Sequence, residues 1–81
     1  MYYTYILKSE KTNKLYIGHT ENLERRLFEH NSNQSKSTKN KGPWKLIFSK
    51  EFSTRSDAMK FELKLKSIKN KDYLLENINT L

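Results

Sequence analysis

The chain of 81 residues contains no cysteine. Disulfide staples, thiolate metal sites and cysteine nucleophiles are therefore excluded, and nothing demands an oxidising compartment. Two glycines and one proline are present, too few for a glycine-rich phosphate loop. The two histidines, His19 and His30, do not make a zinc cage by themselves. HExxH and GxSxG patterns are missing. No stretch approaches the roughly 20 apolar residues of a spanning helix. The amino terminus meets Lys8 before it can build the apolar centre of a signal peptide. The expectation is a cytoplasmic, soluble chain, one domain over 1–81, with a thin core that relies on a few large side chains. Acids are also scarce: 9 Asp and Glu against 16 Lys and Arg leave a net charge of +7. That balance favours a polyanionic partner, DNA or RNA. A membrane partner is not expected, because no helix pairs a broad apolar face with a lysine-rich one.

What is present begins with YYTYILK over residues 2–8, aromatic and β-branched, which predicts a strand. Alternation puts Tyr3, Tyr5 and Leu7 on one face and Tyr2, Thr4 and Ile6 on the other. Polar turn formers follow, and KLYIG over residues 14–18 predicts a second strand and hence a hairpin. A turn at Ser9 to Thr12 sets Tyr5 opposite Tyr16, so that both phenols project from one face. A register shifted by one would part them. Gly18 ends the second strand at a backbone position that a Cβ would block. Thr20 is the expected cap of a helix running to about His30, with Glu21 in its first turn. Leu23 and Leu27 mark its buried face, Arg26 and His30 lie beside that stripe, and Arg25 points nearly the opposite way into solvent. On the helical wheel alone, Arg26 and His30 equally well just border a core.

The stretch from Asn31 to Pro43 is polar throughout and reads as a loop. Lys36, Lys39, Lys41, Lys45 and Lys50, with no acid among them, suit phosphate contacts and suit plain solubility as well. Trp44 to Phe52 alternates imperfectly and predicts a third strand, with Trp44 as a core residue. Ser53 or Thr54 caps a second helix, with Asp57 in its first turn. Ala58, Phe61, Leu65 and Ile68 form its buried stripe, and Glu62 sits at the stripe's edge. Residues 71–78 add a short helix packing through Tyr73, Leu74 and Ile78.

Two tyrosines, an arginine, a histidine and a glutamate on a basic scaffold remain as chemistry. They suffice for phosphodiester cleavage. Water needs a base or a metal to deprotonate it. The transition state gathers negative charge on oxygens that a guanidinium fork can meet. One carboxylate, with waters and phosphate, can hold Mg²⁺ or Mn²⁺.

These residues resemble the GIY-YIG nuclease superfamily, and its small stand-alone members in particular, over nearly the whole chain. Tyr3-Thr4-Tyr5 stands where Gly-Ile-Tyr is expected, keeping only the tyrosine. Tyr16-Ile17-Gly18 matches the second motif in full. Arg26 falls at the spacing of the catalytic arginine, His30 at a histidine found in many members, and Glu62 at the metal-binding glutamate. The resemblance implies an α+β fold, a small three-stranded antiparallel sheet flanked by two to three helices, with the site on one sheet face. It implies that Tyr5 and Tyr16 orient and activate water, with Tyr5 the favoured base. His30 assists that proton, Arg26 clamps the phosphate, and Glu62 holds a single Mg²⁺ or Mn²⁺. The metal and the guanidinium would have to lower the Tyr5 pKa. His19 falls where some relatives place a lysine, giving a phosphate contact or an exposed turn residue, and Asn70 and Asn77 both fit a late asparagine of the pattern. The implied activity is a metal-dependent endonuclease on DNA, directed by structure rather than sequence, acting as a monomer or weak homodimer. The alternative is a catalytically weak or inactive DNA- or RNA-binding module of the same fold. The nuclease reading requires Tyr16 and Glu62 to lie on the same side of the sheet.

Overall fold

The computed structural model describes residues 1–32 and 42–81. Its elements, in chain order, are β1 (Tyr2–Ser9), β2 (Leu15–Thr20), α1 (Leu23–Asn31), β3 (Trp44–Phe52), α2 (Arg55–Ser67), α3 (Lys71–Asn77) and a 3₁₀ turn (Ile78–Thr80). The strands form one antiparallel sheet in the order β2-β1-β3. The expected α+β architecture is therefore present, with three α-helices among the described residues.

β1 is central because both of its faces are apolar enough to be covered. Thr4, Tyr5, Ile6, Leu7 and Ser9 are all buried. Ile6 packs with Phe61, Leu65 and Leu74, joined by Leu15, Ile17, Phe48 and Phe52. Tyr5, Leu7 and Trp44 pack on the other face with Tyr16, Leu23, Leu27 and Leu46. One face is thus covered by α1 and the other by α2 and α3. Full burial of a side chain such as Leu65 contributes about 1.5–3 kcal/mol. Thr4 Oγ1 ties the sheet to α2 by donating to the Ala58 carbonyl at 2.6 Å.

β3 feeds both layers because it carries a bulge. Ile6 pairs with Phe48 but Leu7 pairs with Leu46, which leaves Ile47 as the extra residue. That insertion inverts the alternation. Trp44 and Leu46 face α1, while Phe48 and Phe52 face α2. The imperfect alternation of WKLIFSKEF is the trace of this bulge.

The hairpin corrects one register. Tyr5 pairs with Gly18, and Tyr16 with Leu7. The turn lies one residue further along than expected, because Ser9 stays in the strand, its N–H donating to the Lys14 carbonyl at 2.9 Å, and organises the turn. Its hydroxyl accepts from Lys11 N at 3.2 Å and Thr12 N at 3.0 Å. Asn13 takes a left-handed φ of 62°, which asparagine tolerates. The pairing moves by an even number of residues, so Tyr5 and Tyr16 still share a face.

Helix starts follow capping chemistry. Asn22, not Thr20, caps α1, its side chain accepting from Arg25 N at 3.0 Å. Thr20 is held in β2 opposite Tyr3, and its hydroxyl accepts from Asn22 N at 3.1 Å. Glu24 rather than Glu21 then occupies the first turn. Thr54 caps α2 by accepting from Asp57 N at 3.2 Å. The α2 stripe buries Ala58, Phe61 and Leu65, and Ile68 ends the helix half-buried. On α3 only Leu74 is buried; Tyr73 is 54% exposed, contrary to expectation.

Candidate active site

The site begins with Tyr5, placed at the centre of the sheet and 2% exposed. Its ring runs beneath the edge strand to Gly18. A Cβ at Gly18 would lie 2.7 Å from Tyr5 Oη and 3.1 Å from Tyr16 Cε1. Gly18 is therefore required for space, as the sequence suggested, and the neighbour that claims the space is the cross-strand phenol.

α1 brings two polar groups to that phenol. His30 is fully buried, and its Nε2 lies 3.1 Å from Tyr5 Oη. Arg26 donates from Nη1 to Glu29 Oε1 at 3.0 Å and is near enough for its charge to act on the same hydroxyl. Tyr16 completes the cluster, its ring centroid 4.7 Å from His30, 6.3 Å from Tyr5 and 6.4 Å from Trp44. Arg25 stays on the solvent side, 66% exposed. It joins Arg55, Tyr2, Thr20, Glu21 and His19 around a cavity of about 240 Å³.

The electrostatics of the cluster follow from burial. Desolvation lowers the His30 pKa, and the Arg26 charge lowers it further against a smaller opposing effect of Glu29. The imidazole is neutral at pH 7. Tyr5 moves up from its ordinary 10.0, first through burial, which the hydrogen bond and charge of Arg26 oppose without overcoming. The expected lowering of this phenol is thus not produced by Arg26. Arg26 stays charged: desolvation works against the cation, but bonds to Tyr5 and Glu29 raise its pKa.

Glu62 comes from the other layer. Thr4 and Ile6 face α2, so their partners on β2, His19 and Ile17, face α2 as well. His19 Nδ1 lies 2.5 Å from Glu62 Oε1, and Lys66 Nζ lies 2.6 Å from Oε2. Burial penalises the carboxylate, but the Lys66 and His19 contacts outweigh it and hold its pKa below 4.5. Tyr16, opposite Leu7, faces α1. Tyr16 and Glu62 therefore do not share a sheet face, and the requirement drawn from the sequence fails as framed. The two halves meet at the β2 edge instead. Tyr5 Oη and Tyr16 crowd Gly18, and the next residue, His19, grips Glu62. The Glu62 carboxylate is near enough to act on the Tyr5 phenol, pushing its pKa up.

His19 is thus a strand residue turned to a carboxylate, not an exposed turn residue. Asn70 caps α3 through Tyr73 N at 3.0 Å, and Asn77 donates to the Tyr73 carbonyl at 2.9 Å, so both late asparagines serve α3. Lys36, Lys39 and Lys41 lie outside the described residues. Lys66 and Glu29 enter the site as the ion-pair partners of Glu62 and Arg26. Their i,i+4 and i,i+3 spacings to Glu62 and Arg26 were the available signal. His19 and Glu62 are separated by 43 positions, and nothing local announces that pair.

Among the described residues no group of three or more His, Asp or Glu side chains forms a cage. An ionised, half-buried carboxylate with access to water and phosphate does fit one hard divalent ion. Lys66, 50% exposed, can release Oε2 to it.

A family model for the GIY-YIG catalytic domain matches residues 1–78. The chain belongs to this nuclease-domain family. It is 38% identical over 74 residues to the UPF0213 protein SH2523 of Staphylococcus haemolyticus, covering 90% of this chain and 89% of that one. It is 42% identical over 79 residues to the UPF0213 protein lwe0147 of Listeria welshimeri, covering 93% and 87%. The solution NMR structure of the UPF0213 protein BH0048 from Bacillus halodurans superposes with a TM-score of 0.60 at 27% identity, covering 99% of this chain and 85% of that one. No helix among the described residues is long and apolar enough to cross a membrane.

Proposed function

We propose that this protein is a metal-dependent endonuclease that hydrolyses phosphodiester bonds in DNA, selecting its target by structure rather than sequence. The observation that carries the reading is the buried Tyr5–His30 pair, with Tyr5 against Gly18 on the sheet edge and near enough to both Arg26 and Glu62 to feel their charges. A guanidinium and an ionised carboxylate that both act on one phenol supply the charges that phosphodiester hydrolysis needs.

Arg26 leaves Glu29 to clamp the scissile phosphate and to meet the charge growing on its oxygens. Tyr16, half-exposed, orients the attacking water. Tyr5 cannot wait as a phenolate: a pKa of 10 already costs about 4 kcal/mol at pH 7, and burial adds to that. It accepts the water's proton as its own passes to His30 Nε2, which burial keeps neutral and ready. The base strength thus resides in the imidazole, and the phenol relays. Glu62, ionised, would hold Mg²⁺ or Mn²⁺. Held there, such an ion would supply Lewis acidity to the leaving oxygen. Arg25 and Arg55, beside His19, suit phosphates flanking the break.

One observation favours a second reading, a binding module with little activity: both Glu62 oxygens already have cationic or imidazole partners. Incubation of nicked and branched DNA with Mg²⁺ or Mn²⁺ separates the two. Product that vanishes in Arg26→Ala and Glu62→Gln supports the nuclease. Salt-sensitive binding without product in the unaltered protein supports the module.

A further inference from the structure

We propose, resting on the metal dependence above, that His19 is a second protein donor to the divalent ion, making the site a carboxylate–imidazole pair that prefers Mn²⁺ to Mg²⁺. Three observations converge. The first is contact: His19 Nδ1 and Glu62 Oε1 face each other at 2.5 Å. Exchanging the proton they share for one ion requires the two donors only to part slightly, to about 3 Å. The second is placement. His19 is fixed by the sheet, paired with Thr4 and directly after Gly18, so it sits at the seam where the two halves of the site meet. Its side chain and that of Glu62 are 28% and 13% exposed, enough for an ion to enter and too little for either to wander. The third is elimination. Among the described residues Glu62 has two polar side-chain partners, His19 and Lys66, and an ammonium such as Lys66 carries no lone pair to offer. The imidazole can.

The consequence is a choice of metal. Mg²⁺ binds oxygen donors and keeps its waters, and it gains little from an imidazole. Mn²⁺ stands at the weak end of the first-row series, but it is softer than Mg²⁺ and takes an imidazole nitrogen more readily than Mg²⁺ does. A site of Glu62 alone would treat Mg²⁺ and Mn²⁺ much more evenly than a site of Glu62 with His19. The chain's other histidine, His30, is fully buried against Tyr5 and serves as an internal control.

Calorimetric titration of the full chain with MnCl₂ and MgCl₂, without nucleic acid, tests this. The expected result is tighter Mn²⁺ than Mg²⁺ binding. His19→Phe then weakens Mn²⁺ by about tenfold or more and Mg²⁺ by less than about threefold, while Glu62→Gln weakens both. Electron spin-echo spectroscopy of bound Mn²⁺ gives a second readout. A directly coordinated ¹⁴N signal is expected in the unaltered protein and in His30→Phe, and is lost in His19→Phe and in His19→Asn. Ion binding through Glu62 that His19→Phe leaves unchanged, or a spectrum without nitrogen, overturns this inference and leaves the metal-dependent nuclease intact. No binding of either ion, by the protein alone or with DNA, overturns both.

Discussion

Gly18→Ala is the sharpest perturbation of the site's architecture. The backbone does not resist it, since Gly18 has no positive φ, and alanine adopts the strand conformation freely. The contact does. The new methyl would sit 2.7 Å from Tyr5 Oη, 3.0 Å from Tyr5 Cζ and 3.1 Å from Tyr16 Cε1. Tyr5 has no room to withdraw, because it is 2% exposed and its hydroxyl is engaged by His30. Overpacking of this kind costs about 1–3 kcal/mol. Loss of glycine's extra freedom in the unfolded chain returns about 0.5–1 kcal/mol. The 2.7 Å contact puts this case in the upper part of that range, about 2–3 kcal/mol, so the net destabilisation is about 1–2.5 kcal/mol, a fall in Tm of about 4–20 °C for a chain of this size. Thermal and urea melts measure it. Tyr5→Phe removes the nearest atom, so the cost of the alanine should shrink by about 1 kcal/mol in that background. A Gly18→Ala protein as stable as the parent, or an undiminished cost in the double variant, would refute the claim that Gly18 exists to admit the phenol.

Other outcomes follow from the same geometry. Arg26→Lys keeps the charge but loses the fork that meets phosphate, and cleavage should fall by about 10²-fold or more in single-turnover assays. His30→Phe removes the proton's destination. It should depress cleavage and abolish the acidic limb of the pH–rate profile, whereas an unchanged limb would exclude His30 as the acceptor. Stability should decline on acidification. The His30 pKa is lowered from 6.5 and that of Glu62 from 4.5. Their contributions are present above those values and are lost as pH falls through the folded-state values. Tyr5, raised from 10.0, contributes stability that is lost as pH rises through its folded-state value, and urea midpoints against pH should show both slopes. Asn31 accepts from Trp44 N at 2.5 Å and donates to Trp44 O at 3.1 Å. Asn31→Ala should cost about 1–3 kcal/mol in the same melts.

Much of the fold is legible because it rests on periodicity. Tyr2–Ser9 alternates into a central strand, and Ala58, Phe61 and Leu65 line a helix. Caps and turns are less legible, since neighbouring residues compete for the same role. Thr20 and Asn22 are both good caps, and pairing of Thr20 with Tyr3 decides between them. The bulge at Ile47 is visible only as a flawed alternation. Site residues are readable from spacing on α1, where Arg26 and His30 lie on one helix beside Leu27. Their relation to Glu62 is not. It depends on which layer α2 covers and on a contact that passes around an edge strand through His19. That is a tertiary fact with no periodic trace, and it is where the expected single-face site gave way to one divided by β2.

The most direct test of a divided site that acts as one is anomalous diffraction from Mn²⁺ in crystals of Tyr5→Phe with a nicked DNA duplex. A single ion at Glu62, sharing one backbone phosphate with Arg26 across the β2 edge at Gly18, is the predicted result. An ion or a phosphate confined to one layer, with Arg26 and Glu62 contacting different phosphates or none, would contradict the account.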